Sequence, residues 1–149
     1  MEIDPIWLSR QNEMIELCRY FFRANVMKKH LDKMVMDHDG IDGAIAEDWD
    51  AFWAYHNFWL AGLWVACEGF DRLKLSDAEI CNLAKATRSY LHPLRQATFH
   101  FKADVSQMAR YFDGHPHNIN AAAQLHDAMK NYLGTFLQTL PEGFDPQHL

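Results

Sequence analysis

The stretch LRQATFHF, residues 94 to 101, sets Arg95, Gln96 and His100 among Leu94, Ala97, Phe99 and Phe101. A guanidinium and an imidazole held by apolar neighbours could do phosphate chemistry. Arginine presents a planar fork of donors that meets two anionic oxygens at once, and an unperturbed imidazole gains and loses its proton near neutral pH. On a regular helix, residues five apart are turned by about 140°, so Arg95 and His100 do not share a face. Gln96 and His100, four apart, do share one. Gln96 could therefore hydrogen-bond one imidazole nitrogen and leave the other for a substrate, with the long Arg95 side chain swinging round to the same place. The bland reading of these residues is a surface arginine and a histidine that packs between helices.

Spacing alone does not choose between these readings. With seven arginines and nine histidines in 149 residues, about one Arg–His pair at comparable spacing is expected by chance. Arg23 with His30, and Arg110 with His115 or His117, are further examples. Charge supplies context. The chain carries −6 overall, which counts against a general nucleic-acid binder, yet from Ile80 to Ala103 it holds no Asp or Glu and four cations, Lys85, Arg88, Arg95 and Lys102.

Other chemistries lack their residues. None of the seven glutamates has a histidine three positions later, as a di-iron bundle requires. HExxH, GxSxG and glycine-rich phosphate loops are missing, and no cofactor is expected. His115 and His117 could hold a metal weakly, but a loop pair without further ligands also fits simple solvation. DHDGIDG, residues 37 to 43, resembles a calcium loop superficially; its third Asp and its glycine are out of register, and position twelve is Asp48, so a solvated connector is expected. Cys18, Cys67 and Cys81 have no CxxC spacing and apolar neighbours, which suits free buried thiols in a reducing cytoplasm. No run is apolar enough for a membrane span, and MEIDPIW is unlike a secretory signal.

The elements that must position these residues read as helices in one domain covering residues 1–149. Five Trp and ten Phe imply a core built on large rings. Met14, Leu17, Cys18, Phe21, Ala24, Leu31 and Val35 recur at three- and four-residue steps and predict a first helix from Pro5 to Met36. The second, from Ala44 to Leu73, is apolar around much of its circumference, and Glu68 lies within that greasy run. SDAE predicts a capping box at Ser76 that opens the third helix, with a kink or restart at Pro93 that would place Arg95 in a first turn favourable to phosphate. A fourth helix spans Asn118 to Leu140, with Ala122, Ala123, His126, Met129, Leu133, Phe136 and Leu140 on one side. The expectation is all-α: an antiparallel four-helix bundle.

LRQATFHF, together with VACEGF at residues 65 to 70, resembles the HEPN superfamily, whose hallmark is Arg, a polar residue, three more residues, then His. The resemblance covers most of the chain in helix order, but its specific part is those two stretches. It implies a dimerising helical bundle that brings two Arg/His motifs into one cleft. Many such proteins are metal-independent ribonucleases of toxin–antitoxin or other defence systems; others bind nucleotide, RNA or a protein partner without reaction. By position, Arg95 and His100 match the catalytic pair, and Glu68 matches an acid often found on the second helix. Gln96 stands where Asn, Asp or His is common, and its longer side chain still permits the hydrogen bond to the imidazole. Lys102 stands where one toxin branch has a tyrosine modified by its antitoxin, so that control is not carried over. The implied reaction is attack of a ribose 2′-hydroxyl on the adjacent phosphate to leave a 2′,3′-cyclic phosphate. His100 moves protons and Arg95 grips the phosphate. Glu68 either orients one of them or forms a plain salt bridge. A cytoplasmic homodimer is expected, with an antitoxin or neighbouring-gene product as a further partner and no membrane.

Overall fold

The computed structural model describes residues 5–99 and 117–140, with side chains from residue 9 onward. Among the described residues the chain forms five α-helices and no strand: α1 Pro5–Asp37, α2 Ile41–Glu47, α3 Trp49–Arg72, α4 Ala78–Phe99 and α5 His117–Leu137. The all-helical expectation holds. The count of four does not, because the long second helix is divided.

Asp48 divides it. Its backbone is extended (φ −150°, ψ 92°), and its side chain accepts the Ala51 N–H at 2.9 Å, ending α2 and capping α3. A short carboxylate offers the backbone a non-helical partner, and hydrophobic spacing carries no trace of it. The turn expected over residues 37 to 43 is confined to residues 38–40. There Asp39 and Gly40 take positive φ, 56° and 129°. Gly43 already lies in α2, where a Cβ would run into the His38 carbonyl oxygen.

α4 departs from expectation at both ends. Its cap is Asp77, which accepts the Ile80 N–H at 2.9 Å, one residue beyond the predicted Ser76. At the other end the helix continues through Pro93 to Phe99 with no restart. Arg95 is therefore an interior residue of α4, and the proposed first-turn phosphate site does not exist there. The neighbouring turns hold Pro93 in the helix at the cost of one hydrogen bond to the Ser89 carbonyl. Replacing Pro93 with Ala is expected to raise stability by about 1–3 kcal/mol, read as a higher denaturant midpoint at unchanged slope. α5 ends at Leu137, with residues 138–140 in a turn.

The four long helices pack antiparallel, each against the next long helix in the chain. A Cβ at Gly62 would lie 3.1 Å from that of Ala24, and one at Gly69 would lie 2.9 Å from Leu17 Cδ1. Small residues on α3 thus let α1 approach closely, and the two pairings run in opposite directions. Phe58 meets Phe99 (6.0 Å between ring centres) and Trp64 meets His92 (6.2 Å), which sets α4 antiparallel to α3. α5 is tied to α4 by the Tyr90 hydroxyl, which donates to the Asn118 carbonyl at 2.6 Å. The apolar faces share one core, with Phe21, Phe52, Leu60, Leu63, Leu91, Leu94, Leu125, Met129 and Leu133 buried. Burying each such side chain contributes about 1.5–3 kcal/mol.

Candidate functional site

A helical side chain leans towards the N-terminus of its own helix. Because α3 and α4 run in opposite directions, Arg95 leans towards the later residues of α3 and Glu68 leans back towards the earlier ones. They meet: Arg95 Nη2 lies 3.5 Å from Glu68 Oε2. That separation makes an ion pair too long for a strong hydrogen bond. The side chains are 24% and 39% exposed, so the pair is open to solvent on one side. Arg95 Nε is buried and bonds to nothing among the described residues. A guanidinium has five N–H donors. This one is charge-balanced by a carboxylate, yet its buried Nε–H has no acceptor among the described residues.

The sequence had singled out both members of this pair. Gln96 is half-buried one residue further along α4. His100, Lys102 and His115 lie outside the described residues, and with them the Arg95–His100 pair and the Gln96–His100 hydrogen bond. His117 opens α5 with an exposed side chain.

Between α3 and α4, alongside the ion pair, runs a cleft of about 420 Å³. Trp64, Glu68, Arg72, Lys85, Arg88 and His92 contribute to its walls. Trp64 carries a buried Nε1–H with no acceptor among the described residues, and His92 stands at 77° to its ring. Two other hollows are of similar size but opposite character. One of about 520 Å³ between α1 and α3 is walled by three acids, Glu13, Glu16 and Glu68, against one cation, Arg72. One of about 470 Å³ includes Asp77 and Glu79. Neither suits an anion. The α3–α4 cleft does.

Sequence reasoning missed a second polar cluster, inside the core. His126 Nδ1 lies 3.2 Å from Trp59 Nε1, and its Nε2 lies 3.0 Å from Asn25 Oδ1. An indole N–H can only donate, so Nδ1 must accept and the imidazole proton must sit on Nε2, where it donates to Asn25. Three helices, α1, α3 and α5, are joined through one neutral ring. Burial, then Lys28 and Lys130, push the His126 pKa down to about 3. Its place in the apolar run Ala122, Ala123, His126, Met129 was legible as packing; its two partners were not.

The thiols behave as expected of structural cysteines. Burial raises Cys18 to about 11, and burial with the neighbouring Glu68 raises Cys67 to about 12, so both stay protonated and unreactive. Cys81 is half-buried, and all three are free. Among the described residues no helix is long and apolar enough to cross a membrane. No family model matches this chain, and comparison with curated proteins and with solved structures gave no match.

Proposed function

We propose that this chain is a HEPN-like helical bundle that cleaves RNA without a metal, acting as a cytoplasmic homodimer in a toxin–antitoxin or other defence system. The observation that carries the reading is the Glu68–Arg95 pair. An acid on one long helix faces an arginine on the next, with one side open to solvent and the guanidinium Nε–H without an acceptor among the described residues. Arg95 holds the phosphate and stabilises the charge that gathers on its free oxygens. His100 takes the 2′-hydroxyl proton as the 2′-oxygen bonds to phosphorus. The bond to the 5′-oxygen breaks, and a protonated imidazole returns a proton to that leaving group. Gln96 fixes the His100 ring. The products are a 2′,3′-cyclic phosphate and a 5′-hydroxyl.

Incubation of the protein with diverse RNAs in EDTA tests this reading. Expected are 2′,3′-cyclic ends with wild type, formed at least about a hundredfold more slowly with Arg95→Ala or His100→Ala. Intact RNA throughout, from folded wild-type protein, overturns it.

A second reading is a binding module for nucleotide, RNA or a protein partner such as an antitoxin. It draws on the net charge of −6 and on the neutralisation of Arg95 by Glu68. It predicts that nucleotide or RNA raises the melting temperature while staying chemically intact.

A further inference from the structure

Lys85, Arg88, His92, Arg95 and Phe99 follow one another on α4 at steps of three, four, three and four residues. Those steps keep all five within one side of the helix, and the four basic positions span about 15 Å of its axis. Lys85 and Arg88 are exposed, and with Arg72 across the cleft they make no ion pair among the described residues. The cleft's carboxylates are Glu68, already engaged by Arg95, and Asp71. Cations therefore outnumber acids here, in a chain that is acidic as a whole. At the far end of the stripe, Phe58 and Phe99 lie with ring centres 6.0 Å apart and remain 47% and 44% exposed, although both are large apolar side chains.

We propose that this stripe is a track for single-stranded RNA: Lys85 and Arg88 hold backbone phosphates on one side of Arg95, and Phe58 and Phe99 stack a base on the other. Unpaired cations along a cleft bind phosphates without regard to sequence, and exposed rings accept any base face. An A-form duplex keeps its bases stacked inside, so the aromatic end selects an unpaired strand. The proposal deepens the nuclease reading by naming which surface receives the strand beside Arg95, and it rests on that reading for Arg95 alone.

The test is fluorescence anisotropy with a labelled 2′-O-methyl octanucleotide, which cannot be cleaved through its 2′ position, across a salt series. Lys85→Glu with Arg88→Glu is expected to weaken binding at least tenfold and to reduce the salt slope by about two. Phe58→Ala is expected to weaken it about tenfold. The control Lys29→Glu with Lys130→Glu makes the same change in net charge at exposed positions elsewhere, and should cost much less. Circular dichroism establishes that each variant is folded. Equal loss in control and track variants, an unchanged Phe58→Ala, equal affinity for duplex, or no binding by wild type overturns the track. If wild type binds as described but never cuts ordinary RNA, the nuclease reading falls and the track stands. If it cuts and the track variants bind like wild type, the reverse holds.

Discussion

Lowering the pH from 7 to 4 is expected to remove about 2–4 kcal/mol of folding stability through one side chain, His126. In the folded protein its Nδ1 is occupied by the Trp59 N–H, so a second proton would set two donors head to head in a site closed to water. Burial, Lys28 and Lys130 together hold its pKa at about 3, against 6.5 for the free side chain. The unfolded chain therefore takes up a proton as pH falls through 6.5, and the folded chain does not until about 3. The contribution is present in full above 6.5 and declines across that window.

Carboxylates also titrate at acid pH, so the comparison that isolates His126 is with His126→Gln. That variant keeps an acceptor and a donor but cannot be charged. Urea titrations at pH 7 and pH 4 should show a smaller acid loss for His126→Gln than for wild type, by those same few kcal/mol. Parallel losses would mean that the ring is protonated in the folded state. His126→Ala is a harsher change. It leaves Trp59 and Asn25 without partners and opens a cavity beside Phe21, whose ring centre is 4.8 Å away. A cost of about 3 kcal/mol or more follows, with α5 the first element to loosen in hydrogen exchange.

How far the sequence reveals all this depends on the kind of interaction. α1, α3, α4 and α5 follow from apolar residues at three- and four-residue steps, because burial of one face is what makes those segments helical. The break at Asp48 is a local competition between a side chain and the backbone, invisible to spacing that runs on undisturbed from Ala44 to Phe52. The restart expected at Pro93 fails in the opposite direction. Its local penalty is real, but Tyr90, Leu91 and Leu94 are buried on either side of it and tertiary packing keeps the helix whole. Glu68 and Arg95 were each conspicuous, one as a carboxylate in a greasy run and one as an arginine among packing residues. Their meeting needed the antiparallel pairing of α3 and α4. Asn25 was hidden altogether, since a lone polar residue near an apolar stripe is ordinary until a partner 101 residues away reaches it.

If the proposed nuclease reading holds, Arg95→Ala lowers RNA cleavage by about 10²–10³-fold, the loss typical of removing a donor aimed at charge that develops during reaction. The fall should appear in kcat more than in KM, because the guanidinium bonds most strongly to the oxygens that gain charge. Arg95→Lys keeps the charge but loses the two-pronged grip, and should recover only part of the rate. In the proposed reaction Glu68 acts one step removed, as a positioning residue. Glu68→Gln abolishes the attraction at 3.5 Å while preserving shape, and should lower kcat about tenfold. Added to Arg95→Ala it should do nothing further, because a residue that works only through Arg95 has nothing left to position. Glu68→Asp, a shorter carboxylate, should restore part of the rate if direction of the guanidinium is what matters. Additive losses in the double variant would give Glu68 a separate role. An Arg95→Ala protein that is less stable yet cuts RNA at the wild-type rate would reduce the pair to a bridge between two helices.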